Sequence, residues 1–479
     1  MEGIQIQTKS DHAQLKRGDL IVLINPPNKK IVLRDLYCST ITKGTYNWPN
    51  IDLLTVSGTL KKYFSVRLID ANTLGLSEDQ AIEQVVALKP KGLVFGFGVS
   101  VKEEDYHFIK KLRGLLPGIK FCGTGGLLYY NSVPELRKHP EFDACLRNFT
   151  TEDVLKFFKG DYGEMNNITY RNNGDIIYKP FIDQGHDYSH PVPVHEHLPL
   201  GKYRLSHGKA RPMTTMLTSW GCPAVCTFCI QESMNYRYRS VDNIIEEMDH
   251  LKEIGVKEIF FRDGTFCASK KQGYALMNKM IEKNYGFSWV ANTRGNVITE
   301  ETARLMKRSG CHALHIGVET SNEEILKSTV KNITLDKIKN AFRVCKANGI
   351  VTLGYFILGL PGETPEDLKR TIDLAIELDC DYASFNLPFP QVGTTLRDQA
   401  VENGWLSRDN EDGYDGSLVP LIETDTLSAA QLMRFKNMAF RKFYFRPRFI
   451  YKTIKRLRSL YQINILLSEF KYFVKNRLT

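Results

Sequence analysis

Nowhere does the chain contain the run of about 20 uncharged apolar residues that a helix needs to cross a bilayer. Its start, Met1-Glu-Gly-Ile-Gln-Ile-Gln-Thr-Lys-Ser10, also lacks an apolar secretory core. A protein kept in the cytoplasm is the expectation. Cysteine is scarce, and ten in 479 residues are too few for a disulfide scaffold, so closely spaced thiols point to metal instead. No period recurs and no long polar tract interrupts the chain, which excludes repeat, collagen-like and disordered architectures. What is present is 42% hydrophobic, 25% charged and 11% aromatic residues, in a length that suits two or three packed domains.

Acid is missing from one region in particular. The formal charge is +10, from 64 Lys and Arg against 54 Asp and Glu. From Gln431 onward, 13 Lys and Arg face the single acid Glu469, so this segment alone carries +12 and the rest is slightly acidic. The basic character therefore belongs to the C-terminal segment.

Short apolar runs alternate with helical patterns over residues 19–160, as a parallel sheet with crossover helices requires. Strands are predicted at Asp19–Asn25, Ser65–Asp70, Gly92–Ser100, Ile119–Cys122 and Phe142–Leu146, giving a doubly wound, Rossmann-like domain over residues 1–165. Residues 166–211, with Pro191, Pro193 and Pro199, read as a linker with one hairpin around Ile168–Tyr178. His186, His190, His195 and His197 crowd this stretch. A metal site needs a ligand geometry that the prolines oppose, so ordinary polar histidines are the preferred reading.

A second series runs over residues 212–390, with strands predicted at Thr214–Ser219, Glu258–Phe261, Ser288–Asn292, Ala313–Gly317, Thr352–Leu358 and Tyr382–Asn386. Six such βα units make a partial (β/α)6 barrel with its active site at the C-terminal strand ends. Residues 391–479 read as a helical C-terminal region ending in the basic tail.

The segment Gly221-Cys222-Pro-Ala-Val-Cys226-Thr-Phe228-Cys229 follows the first barrel strand directly. Three thiols spaced C-x3-C-x2-C can hold three irons of a cube and leave the fourth open. A structural zinc site calls for a fourth ligand, and none lies in the next twenty residues.

This spacing, with Phe228 before the third cysteine, resembles the radical S-adenosylmethionine (SAM) enzymes. The resemblance implies a [4Fe-4S] cluster on Cys222, Cys226 and Cys229, SAM chelating the open iron, and a 5′-deoxyadenosyl radical that abstracts hydrogen from carbon. It further places Phe228, Asp263, Thr265, Arg294, Glu319, Ser321, Gly354, Ile357, Gly359, Asn386 and Pro388 around SAM. Asp263 stands where many members have a glutamate for the methionine amino group. Arg294 would meet the methionine carboxylate, with a surface salt bridge as the alternative, and Glu319 the ribose. Gly354 and Gly359 would allow close approach to adenine, and Cys267 is the substrate-facing candidate.

The N-terminal domain is similar to the cobalamin-binding domain of the largest subclass of these enzymes, notably in Arg34-Asp-Leu-Tyr-Cys-Ser39 and Trp48-Pro-Asn-Ile-Asp52. Gly96, Gly98, Ser100, Gly123, Gly125 and Gly126 would then line the corrin. The chain lacks an Asp-x-His-x-x-Gly segment, which is usual in this subclass, and some relatives keep the domain without the cofactor.

The likeness is to enzymes of lipid and secondary-metabolite pathways. It implies methyl transfer to a hydrophobic substrate or, without cobalamin, radical cyclisation or C–C or C–O bond formation. A reductant such as flavodoxin or ferredoxin is implied as well. Aromatics and cations interleave over Phe440–Arg458, which suits peripheral contact with an anionic membrane. Nucleic acid binding, as in an iron–sulfur or cobalamin sensor, and a tail that simply covers the barrel are the alternatives.

Overall fold

The computed structural model describes residues 15–163, 165–181, 185, 187–406, 419–457 and 459–477. Two compact units divide the chain. The first draws on Met1–Ser39, Pro49–Gln184 and His190–Pro199, and the second on Thr40–Trp48, Gly185–Ser189 and Leu200–Thr479.

In the first unit, β1 (Leu20–Asn25), β2 (Ser65–Asp70), β3 (Gly92–Gly96), β4 (Lys120–Thr124) and β5 (Ala144–Leu146) run parallel in the order β2-β1-β3-β4-β5. β1 and β3 are buried almost throughout, as strands covered by helices on both faces must be. Helix α1 (Ile51–Lys61) begins where the Asn50 side chain accepts from Leu53 N at 3.0 Å, and its first ten residues are all buried. Gly58 is required in it, since a Cβ there would lie 2.3 Å from the Pro191 carbonyl oxygen. Helix α2 (Lys102–Leu115) buries Phe108, Ile109 and Leu112.

Residues 166–211 are more than a connection. The expected hairpin is present as β6 (Ile168–Asn172) and β7 (Asp175–Ile177), and β6 pairs antiparallel with β5. Two strands alone bury too little to persist, and the open edge of β5 supplies the missing partner. Of the four histidines, His186 lies outside the described residues. His195 is fully buried, His197 Nδ1 accepts from Leu68 N at 3.5 Å, and His190 Nδ1 meets its neighbour Pro191 O at 3.0 Å.

The strand ends of this unit are joined by one fully buried ion pair. Arg34 Nε donates to Asp105 Oδ2 at 2.9 Å and Nη2 to Asp105 Oδ1 at 3.0 Å, while Nη1 reaches Asn25 Oδ1 and Pro26 O at 3.2 and 3.0 Å. Burial pushes the Asp105 carboxyl up and the guanidinium pulls it back. Arg34→Met leaves that carboxylate buried without its partner and is expected to cost about 3–5 kcal/mol. Thermal unfolding of the single variant against Arg34→Met/Asp105→Leu checks this, because the double variant should recover most of the loss.

The second unit holds a six-stranded parallel sheet in sequence order: β8 (Met213–Met216), β9 (Glu258–Phe261), β10 (Ser288–Arg294), β11 (Cys311–Glu319), β12 (Val351–Ile357) and β13 (Tyr382–Asn386). Helices α3 (Val241–Glu253), α4 (Lys270–Lys283), α5 (Glu300–Arg308), α6 (Leu335–Ala347) and α7 (Pro365–Glu377) lie between the strands in sequence. This is the partial (β/α)6 barrel expected. In β12 and β13 buried residues alternate with half-buried ones, so Tyr355, Ile357, Ser384 and Asn386 share the face opposite the tightly packed Phe356 and Phe385. Deeper in, Tyr355 Oη lies 3.1 Å from His315 Nδ1, and His315 Nε2 lies 3.0 Å from His207 Nε2. Burial, with the Arg262 charge, pushes His315 down to about 3, so this layer is a neutral polar core.

Beyond β13 the described residues hold a short helix, Thr395–Glu402, and then α8 (Ala429–Tyr444), α9 (Pro447–Arg456) and α10 (Leu460–Arg477). A Ser428–Gln431 capping box starts α8, and Tyr444 Oη bonds the Ala383 backbone of β13. Among the described residues no helix is long and apolar enough to cross a membrane.

Candidate active site

Strand β8 ends in a bend that launches the cysteine loop. Gly221 is required at the turn, where φ is +68° and a Cβ would lie 2.9 Å from Asn235 O. The loop is tied independently of its thiols, by Cys229 N to Cys226 O at 2.9 Å, Thr227 N to Thr329 O at 3.1 Å and Leu396 N to Thr227 O at 2.9 Å. All three cysteines are free thiols. Cys222 Sγ lies 3.3 Å from Thr265 Oγ1, and Arg294 Nη1 donates to Cys226 Sγ at 3.3 Å. Burial pushes the Cys229 thiol up to about 12, so a thiolate there calls for a bound cation. Among the described residues no three His, Cys, Asp or Glu converge as a single-ion site. Thiolates on separate corners of a cube have no need to converge on one point.

Asp263 has a different task from the one expected. Its carboxylate is completely buried and accepts from Thr218 N, Ser219 N, Thr218 Oγ1 and Ser219 Oγ at 2.7, 2.6, 2.9 and 3.1 Å. Oδ1 takes three of these donors and Oδ2 one, all from the bend before the cysteines, which makes it a positioning residue for that bend. Thr265 and Arg294 do reach the thiols. Arg294 also donates to Lys331 O, so the surface salt bridge weighed for it is replaced by a sulfur contact and a backbone contact.

Glu319 ends β11 at φ +69°, a backbone conformation that costs a non-glycine residue free energy and is kept where surroundings impose it. It is ion-paired with buried Lys331, and a Cβ at Gly317 would lie 2.4 Å from Glu319 Oε1, so that glycine makes room for the pair. Ser321 is turned onto α7, with Thr371 Oγ1 donating to its Oγ at 3.1 Å. Asn386 Oδ1 accepts from Lys43 Nζ at 3.0 Å, and Pro388 is buried two residues on.

Several other expectations are corrected by packing. A Cβ at Gly354 would meet Phe356 and Cys380, and one at Gly359 would lie 2.3 Å from Leu432, so both glycines are required by close packing within the protein. Ile357, on the opposite face from Gly354, is half-buried. Phe228 packs on Leu396, Ala400 and Ile422. Cys267 is buried at φ +61°, against Gly273 of α4, which removes it from the open site. Burial pushes its thiol up to about 11.

Glu363, Lys331 and Lys43 hold the site together in ways that spacing does not single out. Glu363 is buried and accepts from Thr320 Oγ1 at 2.5 Å and from Gly359 N and Leu360 N at 2.8 and 2.9 Å, holding the turn after β12. Its place in Gly359-Leu-Pro-Gly-Glu363 was the available signal.

In the first unit the strand-end glycines are likewise filled by the protein. A Cβ at Gly96 would meet Asn50, at Gly98 Arg34, at Gly123 Leu128 and Phe95, and at Gly125 the Phe97 carbonyl oxygen. Gly126 is buried as the first residue of a short helix. Ser100 stands apart: its Oγ is buried just beyond β3 with no hydrogen-bond partner among the described residues.

Residues 216–375 match the sequence profile of the Radical SAM superfamily. Across most of its length the chain is similar to an uncharacterized methyltransferase, PH0819, of Pyrococcus horikoshii, with 29% identity over 455 residues, 91% of this chain and 94% of the relative. It is 26% identical over 429 residues to the anaerobic magnesium-protoporphyrin IX monomethyl ester cyclase of Rubrivivax gelatinosus, covering 84% of this chain and 75% of that one. Among solved structures it resembles the radical S-adenosylmethionine methyltransferase TsrM from Kitasatospora setae. With tryptophan and aza-SAM bound to TsrM the TM-score is 0.64, at 18% identity over 81% of this chain and 77% of that one. With cobalamin and a [4Fe-4S] cluster bound the TM-score is 0.63.

Proposed function

We propose that this chain is a cobalamin-assisted radical SAM C-methyltransferase acting on a hydrophobic substrate of lipid or secondary-metabolite type. The observation that carries the reading is the loop Cys222–Cys229. It presents three thiols beside Thr265 and Arg294 at the C-terminal strand ends of the barrel. Three thiols with an adjacent guanidinium suit an anionic cluster, which Cys222, Cys226 and Cys229 would hold. When bound, such a cluster supplies an electron to SAM, and cobalamin supplies a methyl carrier. Arg294 orients Cys226 and offsets its charge, Asp263 sets the bend from which Cys222 projects, and Glu363 holds the turn after β12. In the first unit the unpartnered Ser100 Oγ fits a polar group of a corrinoid, whereas Asn50, Arg34 and Leu128 stand where side chains at Gly96, Gly98 and Gly123 would.

The methyltransferase names of two relatives and the cofactors bound to TsrM support this reading. We extend it to a cytoplasmic protein with peripheral membrane contact through its basic C-terminal segment, fed by a flavodoxin- or ferredoxin-type reductant. The cyclase relative supports radical ring formation as the second reading.

Anaerobic reconstitution with iron, sulfide and cobalamin, followed by assays for iron, bound corrinoid and 5′-deoxyadenosine, tests both. About four irons with retained corrinoid are expected. Four irons without corrinoid favour ring formation, and absence of iron overturns the radical reading altogether.

A further inference from the structure

Half of the strongly exposed large apolar side chains of the described residues lie between Phe445 and Phe470. On α9, Ile450 and Ile454 stand one turn apart, the latter 61% exposed. On α10, Leu460, Ile463, Leu467 and Phe470 follow one another at helical spacing, and Leu460 is 79% exposed. A run of aliphatic and aromatic groups left in water marks a surface with a partner. Cations are interleaved on the same face: Lys455 follows Tyr451 by one turn, Lys471 follows Leu467 by one turn, and both lysines are exposed.

The one acid of this region is turned inward. Glu469 accepts from Thr45 N and Thr45 Oγ1 at 3.1 and 2.8 Å and from Ser206 Oγ at 3.1 Å, and Tyr472 Oη donates to Thr42 O at 2.8 Å. Asp379 pairs with Arg448 and Lys452 of α9, so among the described residues the exposed face is apolar with Lys455 and Lys471 as its exposed cations outside those pairs. The segment it grips, Thr42–Trp48, is the stretch whose Lys43 reaches Asn386 at the C-terminal end of β13, and whose Trp48 packs on Phe260 of β9.

We infer that α9 and α10 form a docking face for an anionic bilayer, and that Glu469 ties this face to the segment Thr42–Trp48 at the mouth of the barrel. Aliphatic side chains enter the acyl boundary while Lys455 and Lys471 reach up to phosphate headgroups, the arrangement of an interfacial helix. Nucleic acid offers phosphates but no cover for Ile454, Leu467 and Phe470. A second copy offers apolar cover but sets the same lysines against one another. The inference deepens the substrate part of the proposed function, since a site beside a bilayer draws on lipid. It rests on that reading only for the lipid's role as substrate, and docking is read without catalysis.

The test is flotation of the full-length, cluster-loaded protein with vesicles of phosphatidylcholine alone or mixed with phosphatidylglycerol. Binding at least about tenfold stronger to the anionic vesicles is expected. Ile454→Glu with Leu467→Glu, both at exposed positions, should lower that binding by a further factor of about ten or more while iron content stays unchanged. Lys455→Gln with Lys471→Gln should weaken binding to the anionic vesicles only. Amide exchange over Thr42–Trp48 should slow on vesicles in the parent protein and not in Glu469→Ala. Equal flotation of parent and Ile454→Glu/Leu467→Glu would overturn the docking face. So would lipid-free self-association that the same pair abolishes, or DNA binding with a steep salt slope. Docking without 5′-deoxyadenosine formation in any assay would leave the face standing and remove the radical chemistry instead.

Discussion

Replacing Cys222, Cys226 and Cys229 together by alanine is expected to abolish bound iron and 5′-deoxyadenosine formation while leaving the fold intact. The loop that carries them is held by backbone hydrogen bonds at Thr227, Thr329, Leu396 and the Cys226–Cys229 turn, none of which uses a sulfur. In the proposed chemistry the cluster is the source of the electron that cleaves the sulfonium, so the loss should be complete, at least about 10⁶-fold. Iron analysis, circular dichroism and product assay on the same anaerobic sample separate chemistry from folding. A triple variant that still formed 5′-deoxyadenosine at the parent rate would end the cluster assignment. Arg294→Met, by contrast, leaves the thiols in place but removes the cation beside Cys226, so iron should be partly retained and bound less tightly than in the parent.

Asp263→Ala should be nearly as damaging by a different route. It leaves two backbone N–H groups and two hydroxyls at Thr218 and Ser219 without their acceptor in a fully buried position. Each buried donor so abandoned costs about 1–3 kcal/mol, less where relaxation or water helps, and a total on the order of 4 kcal/mol is expected. Much of that falls on the bend that aims Cys222, so cluster content should drop as well. Asp263→Asn keeps an oxygen for both backbone donors and offers an amide to a rotated Thr218 hydroxyl, and it should be mild. This contrast separates a positioning role from a charge contact with the SAM amino group. A charge contact would make the asparagine variant lose SAM affinity as severely as alanine does, which isothermal titration would reveal.

The same carboxylate gives a pH signature. Burial raises Asp263 from its ordinary 3.8 to about 6 and Glu363 from 4.5 to about 7. A carboxyl raised in the native state takes up protons there more readily than in the unfolded chain. Its contribution is fully present below its unfolded value and is lost as pH rises through its native one. Stability should therefore fall between about pH 4 and pH 7, by on the order of 3 kcal/mol for Asp263 alone. Urea midpoints across that range should fall less steeply for Asp263→Asn, because an amide has no proton to lose. An unchanged slope in that variant would assign the pH dependence to other groups.

Much of the architecture was legible in local patterns because strand periodicity and turn residues act over a few neighbours. β9 and β13 appear at Glu258–Phe261 and Tyr382–Asn386 as read, and β8 and β11 differ by a few residues at their ends. The edge pairing of β6 was not legible, since a hairpin's sequence does not say which sheet edge will accept it. Site residues divided the same way. Thr265 and Arg294 lie in short segments just beyond or at strand ends and point at the thiols, whereas Ser321 and Cys267 share that linear position but rotate onto helices. One residue of register or one positive φ turns a side chain to the other face, and no spacing argument detects that.

The amino-acid sequence by itself determined the chemistry available to this protein: three thiols at cluster spacing, a barrel strand to carry them, and an acid-poor, cation-rich C-terminal segment. Tertiary structure alone decided how the remaining groups are used. It committed Asp263 to four buried donors, paired Glu319 with Lys331, filled the strand-end glycines with Asn50, Arg34 and Leu128, and turned Glu469 inward onto Thr45. The physical reason is that a buried polar group must find its partner among whatever the fold brings within about 3 Å. Those partners come from 12, 45 and 424 residues away in the chain.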